Sequence, residues 1–505
     1  MRYLTQFFVL SLVSLVCCCG KTPDTPVTPT PEAPTAITVS PTSIAATQAA
    51  ASYDLTVTAP ARPTLTLPSW ITKTDGTYKD YKITFKLNVA ENDSYDPRSG
   101  DVSISATGAS NVTLKVTQAG KTVIPDPTLP DNAAVARAKE LGLGWNMGNH
   151  MDAYANGVAN ETCWGNAKAT QATLDGVKAA GFTSVRIPVT WMGHIGDAPD
   201  YAIDDAWMNR VYEIVEYAEK AGLKVIVNTH HDEDHGDAHW QNLAGAVNSE
   251  DTNAQVKAEI AAVWTQIAVK FQDKGDFLMF ESFNELIYSD QWSSSSNTEK
   301  KCDIINQWNQ VFVDAVRATG GNNATRWLGV PGYAASPNYL QYLTMPSDPA
   351  GKTMLAFHCY DPYQFTIGDQ QLPDWGHTGK SFPKGEEEIK ALFNSIYTNY
   401  IAKNIPIYMG EFGCSFRNKN DAKAWAYFLY YLEYVVKCAK SFGISPFLWD
   451  NGVDGYGQER HGYFNHGTGA YSSNGQEPVQ KMVKAWSDTD ASYTLQSVYD
   501  SAPVF

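Results

Sequence analysis

Between Ala36 and Gly120 the chain alternates apolar and polar residues. Tyr81, Ile83, Phe85, Leu87 and Val89 are separated by single residues, and Val102 with Ile104, then Val112, Leu114 and Val116, repeat the pattern. A period of two buries one face of a strand, so residues 36–120 read as a small all-β sandwich. Residues 19–35 form a Pro/Thr-rich linker with Pro23, Pro26, Pro29, Pro31 and Pro34, extended enough at about 3.1 Å per residue to span roughly 45 Å. A second, stiff connector at residues 121–131 contains Pro125, Pro127 and Pro130. Beyond it, β-rich runs occur at Leu141 to Gly148, Phe182 to Pro188, Leu223 to Asn228, Phe277 to Phe283, Arg326 to Val330, Thr353 to Phe357, Pro406 to Met409 and Ser445 to Leu448. Helix-period stretches such as Asp204 to Ala221, Asn253 to Phe271, Lys300 to Ala318 and Asp421 to Phe442 lie between them. Eight strand-helix units over residues 132–505 predict an α/β fold, a (β/α)8 barrel with sizeable loops.

At the start, the apolar run Phe7 to Val16 is too short to cross a membrane and reads as the core of a signal peptide, residues 1–18. It ends in Leu15-Val16-Cys17-Cys18, which resembles a bacterial lipobox. That resemblance implies export and lipidation, with Cys18 favoured and Cys19 next. The expected place is the outer membrane, on its cell-surface or its periplasmic face, with the chain acting as a monomer. The remaining Cys163, Cys302, Cys359, Cys414 and Cys438 are an odd, scattered set that offers neither a disulfide framework nor a paired metal site. A net charge of −16 excludes the basic stripe that nucleic-acid binding needs. Aromatics at 12%, with 14 Trp and 27 Tyr, suit stacking on the flat apolar faces of a neutral substrate such as a sugar.

Polar residues gather where the strands end: Asn149 after the first, Arg186 late in the second, His230 after the third and Asn284-Glu285 after the fourth. His358 and Tyr360 follow the sixth, Glu411 the seventh and Trp449 the eighth. In a barrel these ends share one rim, so residues from seven strands converge on one cleft. Glu285 and Glu411 both follow apolar runs, where an unpaired carboxylate is costly. Two carboxyls facing one site are what acetal hydrolysis requires, one as proton donor with a raised pKa and one as an ionised nucleophile. Arg186 is the natural cationic partner of the nucleophile. His230, His231, His235 and His239 invite a metal reading, but the HExxH pattern is absent and no metal or other cofactor is expected. Cys359 and Cys414 read as small apolar fillers.

Together, Gly144-Trp145-Asn146-Met147-Gly148-Asn149, Arg186-Ile187-Pro188-Val189-Thr190-Trp191, Asn228-Thr229-His230-His231-Asp232, Phe283-Asn284-Glu285, His358-Cys359-Tyr360-Asp361, Gly410-Glu411-Phe412-Gly413 and Leu448-Trp449-Asp450-Asn451 resemble glycoside hydrolase family 5, and most of all its subfamily 4. The resemblance covers roughly Asn132 to Trp486. It implies a retaining β-glucan hydrolase with Glu285 as acid/base, Glu411 as nucleophile and Asn284 as donor to the sugar 2-hydroxyl. It further implies that Arg186 and Tyr360 hold the nucleophile, that His358 tunes the acid/base, and that His230, His231 and Asn149 bind the glycosyl unit over a floor of Trp449. Asp152 matches a further contact position. His150 departs from the small residue usual in the subfamily. Trp164, Trp191, Trp240 and Trp375 are candidates for stacking along the cleft. Leu67-Pro68-Ser69-Trp70, Arg98-Ser99-Gly100 and Val116-Thr117-Gln118-Ala119-Gly120 resemble the BACON domain, here read as a spacer with Trp70 in its core. Competing readings are a β-mannanase or xylanase of the same clan, and a non-catalytic surface lipoprotein that only binds glycan.

Overall fold

The computed structural model describes residues 32–94, 96–121, 124–233, 239–289, 291–294 and 296–505. The signal segment with Cys18, most of the first linker, and His235 lie outside the described residues. The chain divides into two units, with the boundary between Val123 and Ile124.

The first unit consists of β1 (Thr38–Ser40), β2 (Ser43–Ala46), β3 (Ala51–Thr58), β4 (Thr64–Thr66), β5 (Ile71–Asp75), β6 (Lys82–Val89), β7 (Arg98–Ser105) and β8 (Val112–Gln118). They form two four-stranded sheets, ordered β1-β3-β6-β5 and β2-β8-β7-β4. Ile83, Phe85, Leu87 and Val89 on β6 meet Val102, Ile104, Leu114 and Val116 in one core, as the alternation requires. The BACON-like motifs meet as well. Arg98 lies over the half-buried Trp70 ring, 4.5 Å from its centroid, and donates through Nε to Gln118 Oε1 at 2.9 Å.

The second unit contains β9 (Gly144–Met147), a hairpin of β10 (Tyr154–Ala155) and β11 (Val158–Ala159), then β12 (Ser184–Ile187), β13 (Lys224–Asn228), β14 (Leu278–Glu281), β15 (Leu328–Pro331), β16 (Thr353–Cys359), β17 (Ile407–Phe412) and β18 (Ser445–Asp450). β9 and β12 to β18 close into a parallel barrel in chain order, with β18 pairing back onto β9. All eight expected strands are therefore present. Helices Asp205–Ala221, Glu250–Lys270, Thr298–Ala318 and Ala422–Ser441 match the periodic stretches. Asp204 caps the first of these by accepting from Ala206 N, and left-handed Gly222 stops it. Ala422–Ser441, read as amphipathic, is buried on nearly every face because Gln476–Ser487 and Leu495–Asp500 pack over it. Among the described residues no helix is long and apolar enough to cross a membrane.

The barrel interior is apolar at one end and polar at the other. Ile226, Met279, Met354 and Phe447 fill the lower layers, while Val225, Val227, Leu278 and Phe280 on the alternate positions face the helices. One further step along the strands, the inward positions are Asn146, Arg186, Asn228 and Glu281, all buried. Gly329 leaves room for this layer, since a Cβ there would stand 2.2 Å from the Tyr408 hydroxyl.

Candidate active site

The residue that organises the polar layer is Arg186, which is fully buried. Its Nη1 donates to Glu411 Oε1 at 2.8 Å and to Asn146 Oδ1 at 3.0 Å. Nη2 donates to Asn284 Oδ1 at 2.8 Å and to Glu281 Oε1 at 2.6 Å, and Nε donates to Glu281 at 3.0 Å. The guanidinium thus serves two carboxylates. Glu281 was passed over in the sequence as part of the apolar run Phe277 to Phe283, although a carboxylate within a barrel strand is itself a signal for a buried cation. Burial works to raise the Glu281 carboxyl, but the charge and hydrogen bonds of Arg186 hold it below the usual range.

Glu411 reaches the cleft through an irregularity. Strict alternation from inward-facing Tyr408 would turn Glu411 outward, towards the helices. The register of β16 on β17 shifts between Phe357 and His358, bringing His358 opposite Glu411, and that of β17 on β18 shifts between Met409 and Phe412. A bulge of this kind re-aims a side chain. Tyr360 Oη donates to Glu411 Oε2 at 2.9 Å, so each carboxylate oxygen has one donor. Burial raises the Glu411 carboxyl, and His358, Arg186 and Tyr360 oppose that rise.

Glu285 has no such cation bonded to it. Burial, reinforced by the charge of Glu233, pushes its carboxyl up to about 8. His358 Nδ1 lies 2.6 Å from Glu285 Oε1 and 3.7 Å from Glu411 Oε2. Burial lowers His358 to about 4, so near neutrality it is an uncharged ring into which a protonated Glu285 can donate. Oxygens of Glu285 and Glu411 come within 4.8 Å of one another, together with the ring nitrogen between them. One carboxyl is therefore poised to hold a proton while its neighbour is supported as an anion.

A wall of aromatic rings stands on the other side. His230 is parallel to Trp449, with centroids 5.9 Å apart and planes 4° apart, and His231 meets His230 edge-on at 4.5 Å. Burial and the neighbouring His231 drive His230 well below its ordinary range. Burial opposes the charge on His231, but the Glu233 carboxylate overrules it and raises that ring to about 9. Asp152, His230 and His231 have ligand-type atoms within 4.8 Å of one another and could hold a divalent ion, as could Glu285, His358 and Glu411. An ion at the second trio would take the place of the proton that the raised Glu285 carboxyl holds.

A cleft of about 690 Å³ brings together Glu285, Glu411, Asn284, His230, His231, His358, Tyr360 and Trp449. Three expected residues do not line it. Arg186 lies beneath as a support for Glu411, and Asn149 sits to one side with the buried Asp152, its backbone N–H donating to Asp152 Oδ2 at 2.9 Å. Trp191 and Trp375 are fully buried in the barrel core and are not stacking surfaces, and Trp240 is half-buried against that core. Trp164 is exposed at the rim, with its ring 5.6 Å from His231. Sequence reasoning missed Trp292 and Tyr363, which are 60% and 55% exposed and line the cleft. A bulky ring within the Ser-rich stretch around residues 291–297 was the available signal for Trp292. Cys359 and Cys414 are buried fillers, and burial raises both thiols.

Residues 151–455 match the family model for cellulase, glycosyl hydrolase family 5, and residues 66–119 match the BACON model, described as "Putative binding domain, N-terminal". Endoglucanase B of Clostridium cellulovorans is 37% identical over 71% of this chain and 78% of its own. The xyloglucan-specific endo-beta-1,4-glucanase BoGH5A of Bacteroides ovatus is 33% identical over 77% of this chain and 80% of its own. A solved GH5-4 broad specificity endoglucanase from Bacteroides salanitronis is 45% identical, covering 73% of this chain and 99% of that one, with a TM-score of 0.68. The chain belongs to glycosyl hydrolase family 5.

Proposed function

We propose that the protein cuts internal β-1,4 bonds of a plant cell-wall glucan with retention of configuration, Glu411 acting as nucleophile and Glu285 as acid/base. The observation that carries this reading is the approach of the two carboxyls to within 4.8 Å. Retaining enzymes keep the pair about 5 to 5.5 Å apart for direct attack, whereas inverting enzymes leave a wider gap for water. In the first step Glu411 bonds to the anomeric carbon as Glu285 passes its proton to the leaving oxygen. In the second, the Glu285 carboxylate takes a proton from water, the hydroxyl bonds to the anomeric carbon, and Glu411 departs as a carboxylate. Arg186 and Tyr360 stabilise that anion before and after. Because the Asn284 oxygen accepts from Arg186, its amide nitrogen is left to face the sugar 2-hydroxyl.

Xyloglucan or mixed-linkage glucan is the substrate this reading favours, in a subfamily 4 enzyme. The named activities of the Bacteroides relatives support it, as does a cleft with exposed Trp292 and Tyr363. The sandwich serves as a spacer: Trp70 lies half-buried under Arg98, and none of the unit's described residues is a large exposed hydrophobic. The lipobox-like Leu15-Val16-Cys17-Cys18 supports anchoring to the outer membrane through Cys18. Rates measured side by side on xyloglucan, barley β-glucan, carboxymethylcellulose, glucomannan and xylan test the substrate. A preference for mannan or xylan overturns the glucan assignment, and no turnover of any of them leaves the glycan-binding reading. Proton NMR of the first product tests the mechanism, which requires the β-anomer to appear first.

A further inference from the structure

Two buried histidines that the hydrolytic steps do not use join the loop after β9 to the loop after β18. The rings of His150 and His466 stack with centroids 5.0 Å apart and planes 26° apart, and both are buried. At one end His150 Nδ1 lies 3.6 Å from Glu161, itself held by Arg210 at 2.7 Å. At the other, His466 Nε2 lies 3.1 Å from Asp450 Oδ1. Asp450 accepts from Trp145 Nε1 at 2.9 Å, from Gly452 N at 2.9 Å and from Phe464 N at 3.0 Å. Among the described residues no ring nitrogen of either histidine has a hydrogen-bond partner, so His466 meets Asp450 as a close polar contact only. Burying an incompletely bonded imidazole is costly, and an apolar ring would serve packing alone better.

What the pair holds is the sugar floor. Trp449 precedes Asp450, and its indole lies against Gly148 so closely that a Cβ there would stand 2.7 Å from the ring. Gly148 N donates to the Asp450 carbonyl at 2.9 Å, and Asn149 stands between Gly148 and His150. Trp449, which lines the cleft, thus flanks the seam that the histidines close. We propose that His150 and His466 are positioning residues, a clasp across the β9–β18 seam that sets Trp449 for the glycosyl unit. The proposal rests on reading Trp449 as the stacking floor.

The test pairs kinetics with a signal that needs no substrate. His466→Phe keeps a stacked ring but loses the link to Asp450, and His150→Ala cuts the clasp from the other loop. In the full chain, each raises KM for soluble glucan about 10-fold while kcat stays within about 2-fold, the signature of lost uniform binding. His466→Asn, whose amide keeps a polar group beside Asp450, recovers most of the loss. In fluorotryptophan-labelled protein, the Trp449 ¹⁹F resonance, assigned from Trp449→Phe, moves or broadens in His466→Phe. An unchanged resonance with unchanged KM in either folded variant overturns the proposal, and so does a fall in kcat at constant KM. Failure of the wild type on every glucan counts against the hydrolase reading instead, because the fluorine signal reports the clasp without substrate.

Discussion

Replacing Glu281 by Gln removes one of the two negative charges that share Arg186 while keeping shape. Every partner of Glu281 is a donor: Arg186 Nε and Nη2, Asn228 Nδ2 at 3.0 Å, and the Tyr408 hydroxyl. The best fit for a glutamine turns its NH₂ to Tyr408, whose hydroxyl can rotate to accept, so the loss is mainly charge. Unit charges about 4 Å apart interact by about 4 kcal/mol at an effective dielectric near 20. Relief of carboxylate desolvation offsets part of this, and Arg186 keeps Glu411 as a counter-ion. The net cost falls a little below the 3 to 5 kcal/mol typical of a broken buried pair, at about 2 to 3 kcal/mol. In urea the unfolding midpoint should drop accordingly with an unchanged slope. The same change leaves the Arg186 cation facing Glu411 alone, which favours the ionised nucleophile. The acid limb of kcat/KM should therefore move to lower pH, with kcat down roughly 10-fold as the stabilised anion attacks less readily. An acid limb that stays in place or moves up, or a midpoint indistinguishable from wild type, refutes this account of the layer.

Three further outcomes follow from the same geometry. Glu411→Ala and Glu285→Gln should each lower glucan hydrolysis by several orders of magnitude with far-UV circular dichroism unchanged, and near-normal turnover in either would remove it from its role. Because burial raises Glu285 to about 8, the proton donor is present below that pH and lost above it, so kcat/KM should fall on the alkaline side near pH 8. A plateau that continues well above this pH would mean another group donates. Changing Cys17, Cys18 and Cys19 together to Ser should move the protein out of the membrane fraction, as read by fractionation and immunoblotting; retention there would dismiss the lipid anchor.

The barrel was legible because its strands are buried on both faces and so read as apolar runs bounded by polar rim residues. Each of the eight runs overlaps an observed strand. The sandwich was legible for the opposite reason, since one solvated face leaves a clean alternation on β6, β7 and β8. Catalytic candidates stood out as carboxylates, imidazoles and amides just past an apolar run, and eight of the eleven named for catalysis or substrate line one cleft. Less was visible where a side chain's surroundings come from other strands. Trp191 and Trp449 both follow apolar strands, yet one donates to the Asn228 carbonyl inside the core and the other faces the cleft. Which way a ring turns depends on the neighbouring loops, and composition carries no record of them.

Glu281 is the sharper case, because it was hidden by its own context. One acidic residue among Leu278, Met279 and Phe280 changes a hydropathy pattern little, yet in the closed barrel it faces Arg186 across β13. Its presence explains why one guanidinium does not over-stabilise Glu411. A cation serving that carboxylate alone would hold the nucleophile deep in its anionic state, where attack on carbon is slow. Sharing the cation between Glu281 and Glu411 divides its field. On the proposed assignment, Arg186 and Tyr360 support Glu411 as the anion against the rise that burial imposes, while Glu285, with no cation bonded to it, keeps the proton it would deliver. The asymmetry between two chemically identical side chains is thus set one layer below the cleft, by residues that do not line it.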